Sequence, residues 1–357
     1  MMPEVVSNYG TTLKLHASRF GTAEVNALIA RIESNDAPPL VALDIELQRV
    51  GECAEQLMRS LPPSVKSLRI DRTGVGEELM IKCAAALAAS NSRVEELTIT
   101  GGKNVHGEWL KLLLNDNAFQ NSIPLRPLAT QTKLSCLRHF TLSNCTVRKG
   151  HMQPLLKDLA NLVCCTCSLE ALTLEAIGIN RNAMAKNNYG CWSVMSQAAR
   201  YLRHFSLQGN PIGQGTGTPY IWQCYCLRTE GHDQHHLSLR NTQLGGNKSA
   251  AEIAWLFGAT EGPPIVTIDI RDNAIGLPAA DAIARAIQSG PASVQHLLVS
   301  EPYQFLADAL RRRRAARLMG LFRVVAVLNG KLWNARKKKA EERYHPLRKR
   351  ARGEFEI

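Results

Sequence analysis

Residues 265–289 read Ile265-Val-Thr-Ile268-Asp-Ile270-Arg-Asp-Asn273-Ala-Ile275-Gly276-Leu-Pro-Ala-Ala280-Asp-Ala-Ile283-Ala284-Arg-Ala-Ile287-Gln-Ser289. Ile268 and Ile270 alternate with polar residues, the period of a short strand with one apolar face. Arg271 to Gly276 has the composition of a turn. Ala280, Ile283, Ala284 and Ile287 then fall at i, i+3, i+4 and i+7, one stripe of a helix. Val25, Leu28, Ile29 and Ile32 repeat those offsets, as do Met152, Leu155, Leu156 and Leu159.

The strand signature recurs along the chain. An apolar residue, another three places later and a third two places beyond stand at Leu40-Leu43-Ile45, Val65-Leu68-Ile70, Val94-Leu97-Ile99, Leu137-Phe140-Leu142, Leu169-Leu172-Leu174, Leu202-Phe205-Leu207, Ile265-Ile268-Ile270 and Val294-Leu297-Val299. Gln234-Leu237-Leu239 keeps the register with a polar first place, and Leu13-x-Leu15 is a fainter copy with Leu13 at the middle place. Middle places at 13, 43, 68, 97, 140, 172, 205, 237, 268 and 297 are separated by 25 to 43 residues. A near-constant step of this size predicts stacked units, each burying its apolar side only against its neighbours.

Composition places the charge elsewhere. The chain has 357 residues and a net charge of +12, and from Glu301 to Ile357 sixteen Lys and Arg face six acids, so that segment holds +10. The expected division is a repeat domain over residues 1–300 and a basic, helical cap and tail over 301–357. Ten cysteines at irregular spacings fit a reducing compartment better than a disulfide framework. The amino terminus has no basic start followed by an apolar core, and no apolar run approaches the ~20 residues of a membrane span. The expectation is an intracellular, cytoplasmic chain without a membrane span, with cytoskeletal, basal-body or nuclear placement open.

A strand followed by a full helix in about 29 residues matches the longer leucine-rich repeats. The position three past the last strand anchor is Asn210 or Asn273 in two units, Cys145 in one, and Thr73 or Thr242 in two more. A side chain there can bond the backbone of the turn. On these residues, from about Leu13 to Ser300, the chain resembles the ribonuclease-inhibitor-like leucine-rich repeat proteins. The resemblance implies an α/β horseshoe solenoid of about ten units and a binding scaffold in place of an enzyme. Gln234, Gly102 and Ile177 depart from the pattern at anchor and turn positions. Thr267 to Asn273, one oversized repeat and a basic tail also look faintly like the centrosomal and basal-body members of the class. The Ran GTPase-activating proteins share it too, which leaves a small-GTPase regulator as another reading, although their tail is acidic.

In such a solenoid the residues alternating with the anchors line the concave face. One column holds His139, His204, His236 and His296, four of the chain's ten histidines. The next holds Thr98, Thr141, Thr173, Ser206 and Ser238, then Asp269. The third runs from acidic, Glu46 and Asp71, through Ser143, Glu175 and Gln208 to basic, Arg240 and Arg271. The expected contact surface for a protein partner is therefore His139, Thr141, Ser143, Thr173, Glu175, His204, Ser206, Gln208, His236, Ser238, Arg240, Asp269, Arg271 and His296. Exposed strand positions must be polar in any case, so hydroxyls alone carry little. Protonation of the histidine column below about pH 6 is expected to weaken or reorganise whatever binds there.

No cofactor, metal or catalytic residue is expected. Cys224-x-Cys226 with His232, His235 and His236 has zinc-like ligands, but its cysteines are closer than structural zinc sites use. Gly245-Gly-Asn-Lys-Ser249 lacks the glycines of a phosphate-binding loop. The polar, proline-bearing stretch from Asn115 to Gln131 accounts for the 43-residue step and receives no role. From Phe305 to Tyr344 apolar residues alternate with arginines and lysines in a helix-favouring pattern, which suits a cap over the last repeat. Arg336-Lys337-Lys338-Lys339 and Arg348-Lys349-Arg350 suit nuclear import, nucleic acid or a ribonucleoprotein, and calmodulin or an anionic membrane surface would use the same charges.

Overall fold

The structure is a computed structural model that describes residues 13–17, 21–34, 39–90, 92–105, 136–147, 151–166, 168–184, 195, 198, 202–213, 235–245, 254, 265–289, 294–316 and 319. Ten strands form one open parallel sheet: β1 (Leu13–Ala17), β2 (Leu40–Glu46), β3 (Ser67–Asp71), β4 (Glu96–Thr100), β6 (His139–Ser143), β8 (Ala171–Glu175), β9 (His204–Ser206), β10 (His235–Ser238), β11 (Ile265–Asp269) and β12 (His296–Leu298). Every strand lies beside its predecessor in this order, as stacking requires. A second, two-stranded sheet pairs β5 (Lys103–Val105) with β7 (Thr146–Val147). This α/β arrangement is consistent with a leucine-rich-repeat-like solenoid, and the sheet is not closed into a barrel.

The register is the one the triplets predict. Leu43, Leu68, Leu97, Phe140, Leu172, Phe205, Leu237, Ile268 and Leu297 are successive partners across the sheet. All nine are buried. The faint first copy is corrected by two residues, because Leu15, not Leu13, pairs with Leu43, and Ala17 takes the last anchor place opposite Ile45. A small alanine there removed the apolar signal that sets the register elsewhere.

Helices α1 (Thr22–Glu33), α4 (Glu77–Ala89), α5 (Met152–Cys165) and α6 (Leu277–Ser289) follow β1, β3, β7 and β11, with the shorter α2 (Leu47–Val50) and α3 (Cys53–Arg59) after β2. Their apolar stripes close the core from one side of the sheet: Val25, Leu28 and Ile29; Leu155, Leu156 and Leu159; Ala280, Ile283 and Ile287. Among the described residues no helix covers the opposite side, which is a strand face.

Each turn leaving the sheet is built alike. From Ile99 to Ile270 the second residue past the last anchor has a left-handed backbone in six successive units: Gly101, Asn144, Ala176, Gly209, Asn241 and Asp272. Its N–H reaches the carbonyl of the next unit at 2.9–3.0 Å, as Gly101 to Ser143, Asn144 to Glu175, Ala176 to Gln208, Gly209 to Arg240 and Asn241 to Arg271. The last of these rungs, from Asp272, ends on the Ser300 hydroxyl at 2.7 Å. Glycine, asparagine and aspartate tolerate this conformation, and five of the six positions use one of them. That constant offset was readable in the sequence and was missed.

One residue further on, the expected ladder exists. The Asn210 amide donates to the Leu174 and Leu207 carbonyls at 2.6 and 2.9 Å. Its oxygen accepts the N–H groups of Ile177 and Ile179, both at 3.0 Å. Asn273 repeats the arrangement with Leu239, Ile270, Thr242 and Leu244. Thr242 and Cys145 are also buried and donate to Leu239 and Gly101. Thr73 is the exception: it is exposed, and its neighbour Arg72 is buried in its place. Gly102, which offers no ladder side chain, leaves the room, since a Cβ there would lie 2.7 Å from the Arg72 Nε.

Beyond β12 the chain turns at Glu301–Tyr303 and is helical over residues 304–316. Leu306 and Leu310 join the core of the repeats, and the Tyr303 hydroxyl donates to the Ile275 carbonyl at 2.5 Å. Arg313 donates to the carbonyl of Ile287 in α6. Arg314 donates to that of Gln295 at 3.0 Å. Two arginines of the basic run are thus spent on carbonyls of the last unit.

Candidate functional site

The strand face consists of rows running across the sheet. The row before the middle anchors is Lys14, Ala42, Ser67, Glu96, His139, Ala171, His204, His236, Thr267 and His296, each a register partner of the next. The histidines fall in one line because parallel strands with a constant step place equivalent residues side by side. His139, His204 and His296 are exposed and His236 is half-buried.

His204 and His236 are adjacent, with ring centroids 6.0 Å apart and planes tilted by 32°. Neither ring has a hydrogen-bond or acidic partner among the described residues. Loss of water around the His204 ring, then the positive charges His236 and His139 would carry, lower its pKa below the usual imidazole value. His139 faces the Glu96 carboxylate at 3.4 Å.

The second row is Asp44, Arg69, Thr98, Thr141, Thr173, Ser206, Ser238, Asp269 and Leu298. Thr141 and Thr173 are half-buried, whereas Ser206 and Ser238 are only 4% and 9% exposed. Ser143 in the third row is 7% exposed. These short side chains lie low between rows of longer ones. Among the residues expected to form the contact, His139, His204 and His296 are the most accessible. His236, Thr141, Thr173, Glu175, Gln208, Arg240 and Arg271 are half-buried.

The expected acidic-to-basic gradient is largely cancelled on the face itself. Arg271 chelates Asp269 through two bonds of 3.0 and 2.7 Å, which raises its already high pKa. Arg240 pairs with Asp272 at 2.5 Å. At the other end Glu46 pairs with Arg49 at 2.9 Å, and the Asp71 carboxylate accepts the Thr73 N–H. Glu175 accepts from the Gln208 amide at 2.9 Å. A single column read from sequence cannot show partners that come from the adjacent row or the turn.

A further row on the near side alternates in sign: Lys66 with Glu95 at 2.9 Å, then Arg138, Glu170 and Arg203 with separations of 3.9 and 3.7 Å. The Lys66 bond holds the Glu95 carboxyl below the usual range. These pairs are exposed and add little stability, and because Arg138 and Arg203 share Glu170 they leave one positive charge in excess along this row.

Among the described residues no group of three or more His, Cys, Asp and Glu is placed to hold a metal ion. Cys224, Cys226 and His232 lie outside those residues, as do the stretch from Asn115 to Gln131 and both basic clusters, Arg336 to Lys339 and Arg348 to Arg350. Burial pushes the thiols of Cys83 and Cys145 up to about 12, which leaves both unreactive. No described helix is long and apolar enough to cross a membrane.

No protein-family profile matches the chain, and no curated protein matches it. Among solved structures it is similar to the leucine-rich repeat-containing protein LegL7 from Legionella pneumophila, with 15% identity and a TM-score of 0.45 over 84% of this chain and 89% of that one.

Proposed function

We propose that the chain is a non-catalytic protein-interaction scaffold that receives a partner protein on its strand face. The observation that carries this reading is the histidine row. Three of its rings are exposed and, among the described residues, those of His204 and His236 have no hydrogen-bond or acidic partner, while Arg240 and Arg271 beside them are paired with Asp272 and Asp269. A face whose own pairs are satisfied and whose remaining polar groups are unsatisfied has binding capacity to offer. The segment after Ser300 closes the last unit through Leu306, Leu310, Arg313 and Arg314. The clusters Arg336 to Lys339 and Arg348 to Arg350 then remain for an anionic partner.

Affinity purification from the native cell with three chains tests this: the full chain, a chain ending before Arg336, and H236E/H296E. The scaffold reading expects the same partner on the first two and its loss from the third. Loss on truncation alone transfers the function to the tail and to an RNA or ribonucleoprotein partner, whose contacts weaken steeply with salt.

A further inference from the structure

We infer that the partner recognised by the strand face presents an extended acidic segment, laid across the strands and gripped by the histidine row. The inference rests on the scaffold reading and specifies its ligand. Its starting point is the charge around the row between β6 and β12. The acids there are Glu170, Glu175, Asp269 and Asp272, and the bases are Arg138, Arg203, Arg240 and Arg271. Among the described residues the two sets balance in number, so protonation of His204, His236 and His296 sets the sign of the face. His139 is held by Glu96 and contributes less.

Protonation turns this neutral strip positive without any rearrangement of its neighbours. Two adjacent imidazoliums at the His204–His236 spacing repel one another, and a carboxylate between them relieves that repulsion. An acidic ligand is therefore bound with proton uptake.

Spacing favours an extended chain. His139 and His204 are two strands apart across Ala171, and His236 and His296 are two strands apart across Thr267. Two strand spacings are about 9.6 Å. One turn of polyproline II, which returns a side chain to the same side, is about 9.3 Å. Acids three residues apart in such a segment can meet alternate members of the row, with the small Ala171 and Thr267 leaving room between. The hydroxyls of Thr141 and Thr173, half-buried in the next row, supply neutral donors alongside.

Fluorescence anisotropy with a labelled hexaglutamate peptide and the full chain tests the inference. Imidazole is the side chain that ordinarily gains charge between pH 7.5 and 5.5, whereas Lys and Arg of the tail do not titrate in that interval. The expected result is binding about tenfold tighter at the lower pH, and a shift of less than about twofold in H204N/H236N. In the wild-type chain the peptide is also expected to raise the lowered pKa of His204, read from its imidazole resonances, a measurement that needs no variant. An equal pH shift in the variant, no shift in the wild type, or stronger histidine-dependent binding of a single-stranded oligonucleotide overturns the inference. The three-chain purification is unaffected by any of these results, so the scaffold reading fails or survives separately.

Discussion

The imidazoles of His204 and His236 face one another from neighbouring strands with ring centroids 6.0 Å apart. Because the folded pKa of His204 is lowered, the unfolded chain takes up its proton first as pH falls. Protons bound by the unfolded state exceed those bound by the folded state below the unfolded value of about 6.5, so stability falls as pH drops through it. The midpoint of thermal unfolding is expected to decrease between about pH 7.5 and 5.5, and H204N should flatten that decrease. An unchanged slope in H204N would remove this pair from the account.

The carboxamide of Asn210 is fully buried and serves two units at once. Truncation to alanine orphans the N–H groups of Ile177 and Ile179. At about 1–3 kcal/mol for each of the two buried unsatisfied donors, Asn210→Ala is expected to cost about 2–6 kcal/mol in urea unfolding. A loss below about 1 kcal/mol would mean that water replaces the ladder.

Arg72 is 0% exposed and donates to Glu77 at 2.9 Å, while its Nε and Nη1 have no partner. Removing the acid leaves a fully buried charge uncompensated, whereas removing the arginine leaves a carboxylate that is partly exposed and lies in the first turn of α4. Glu77→Ala is expected to cost about 3–5 kcal/mol, and Arg72→Met to cost less. Equal losses would contradict this asymmetry.

Ala176 is the one residue of the six-unit turn series that disfavours its left-handed backbone. Relief of about 1–2 kcal/mol of strain exceeds the roughly 0.5–1 kcal/mol entropic cost of glycine. Ala176→Gly is therefore expected to stabilise the chain slightly, and Gly209→Ala, with its φ of +71° and a Cβ 3.3 Å from that of Ala176, to destabilise it. Chemical unfolding of both variants reads the two signs.

The strand register was legible because one substitution pattern recurs with a fixed offset: nine buried middle anchors stand in line as the sequence predicts. β1 was misplaced because Ala17 is too small to register as an anchor. The third column misled for a different reason. Arg240 and Arg271 are basic in sequence, but Asp272 and Asp269 reach them through a turn and an adjacent row, and periodicity carries no information about that. Arg72 was invisible for the same reason, since its burial depends on Gly102 in the next unit. The histidine row, by contrast, needed only the register.

Site-specific photo-crosslinking in the native cell tests the central claim most directly. A photoreactive residue at Arg240 or His296, on the strand face, is compared with one at the exposed Lys157 on α5, on the helical side. The account predicts that the same partner protein is captured from Arg240 and His296 and not from Lys157. Capture from Lys157 alone would contradict it and place the interaction surface on the helices.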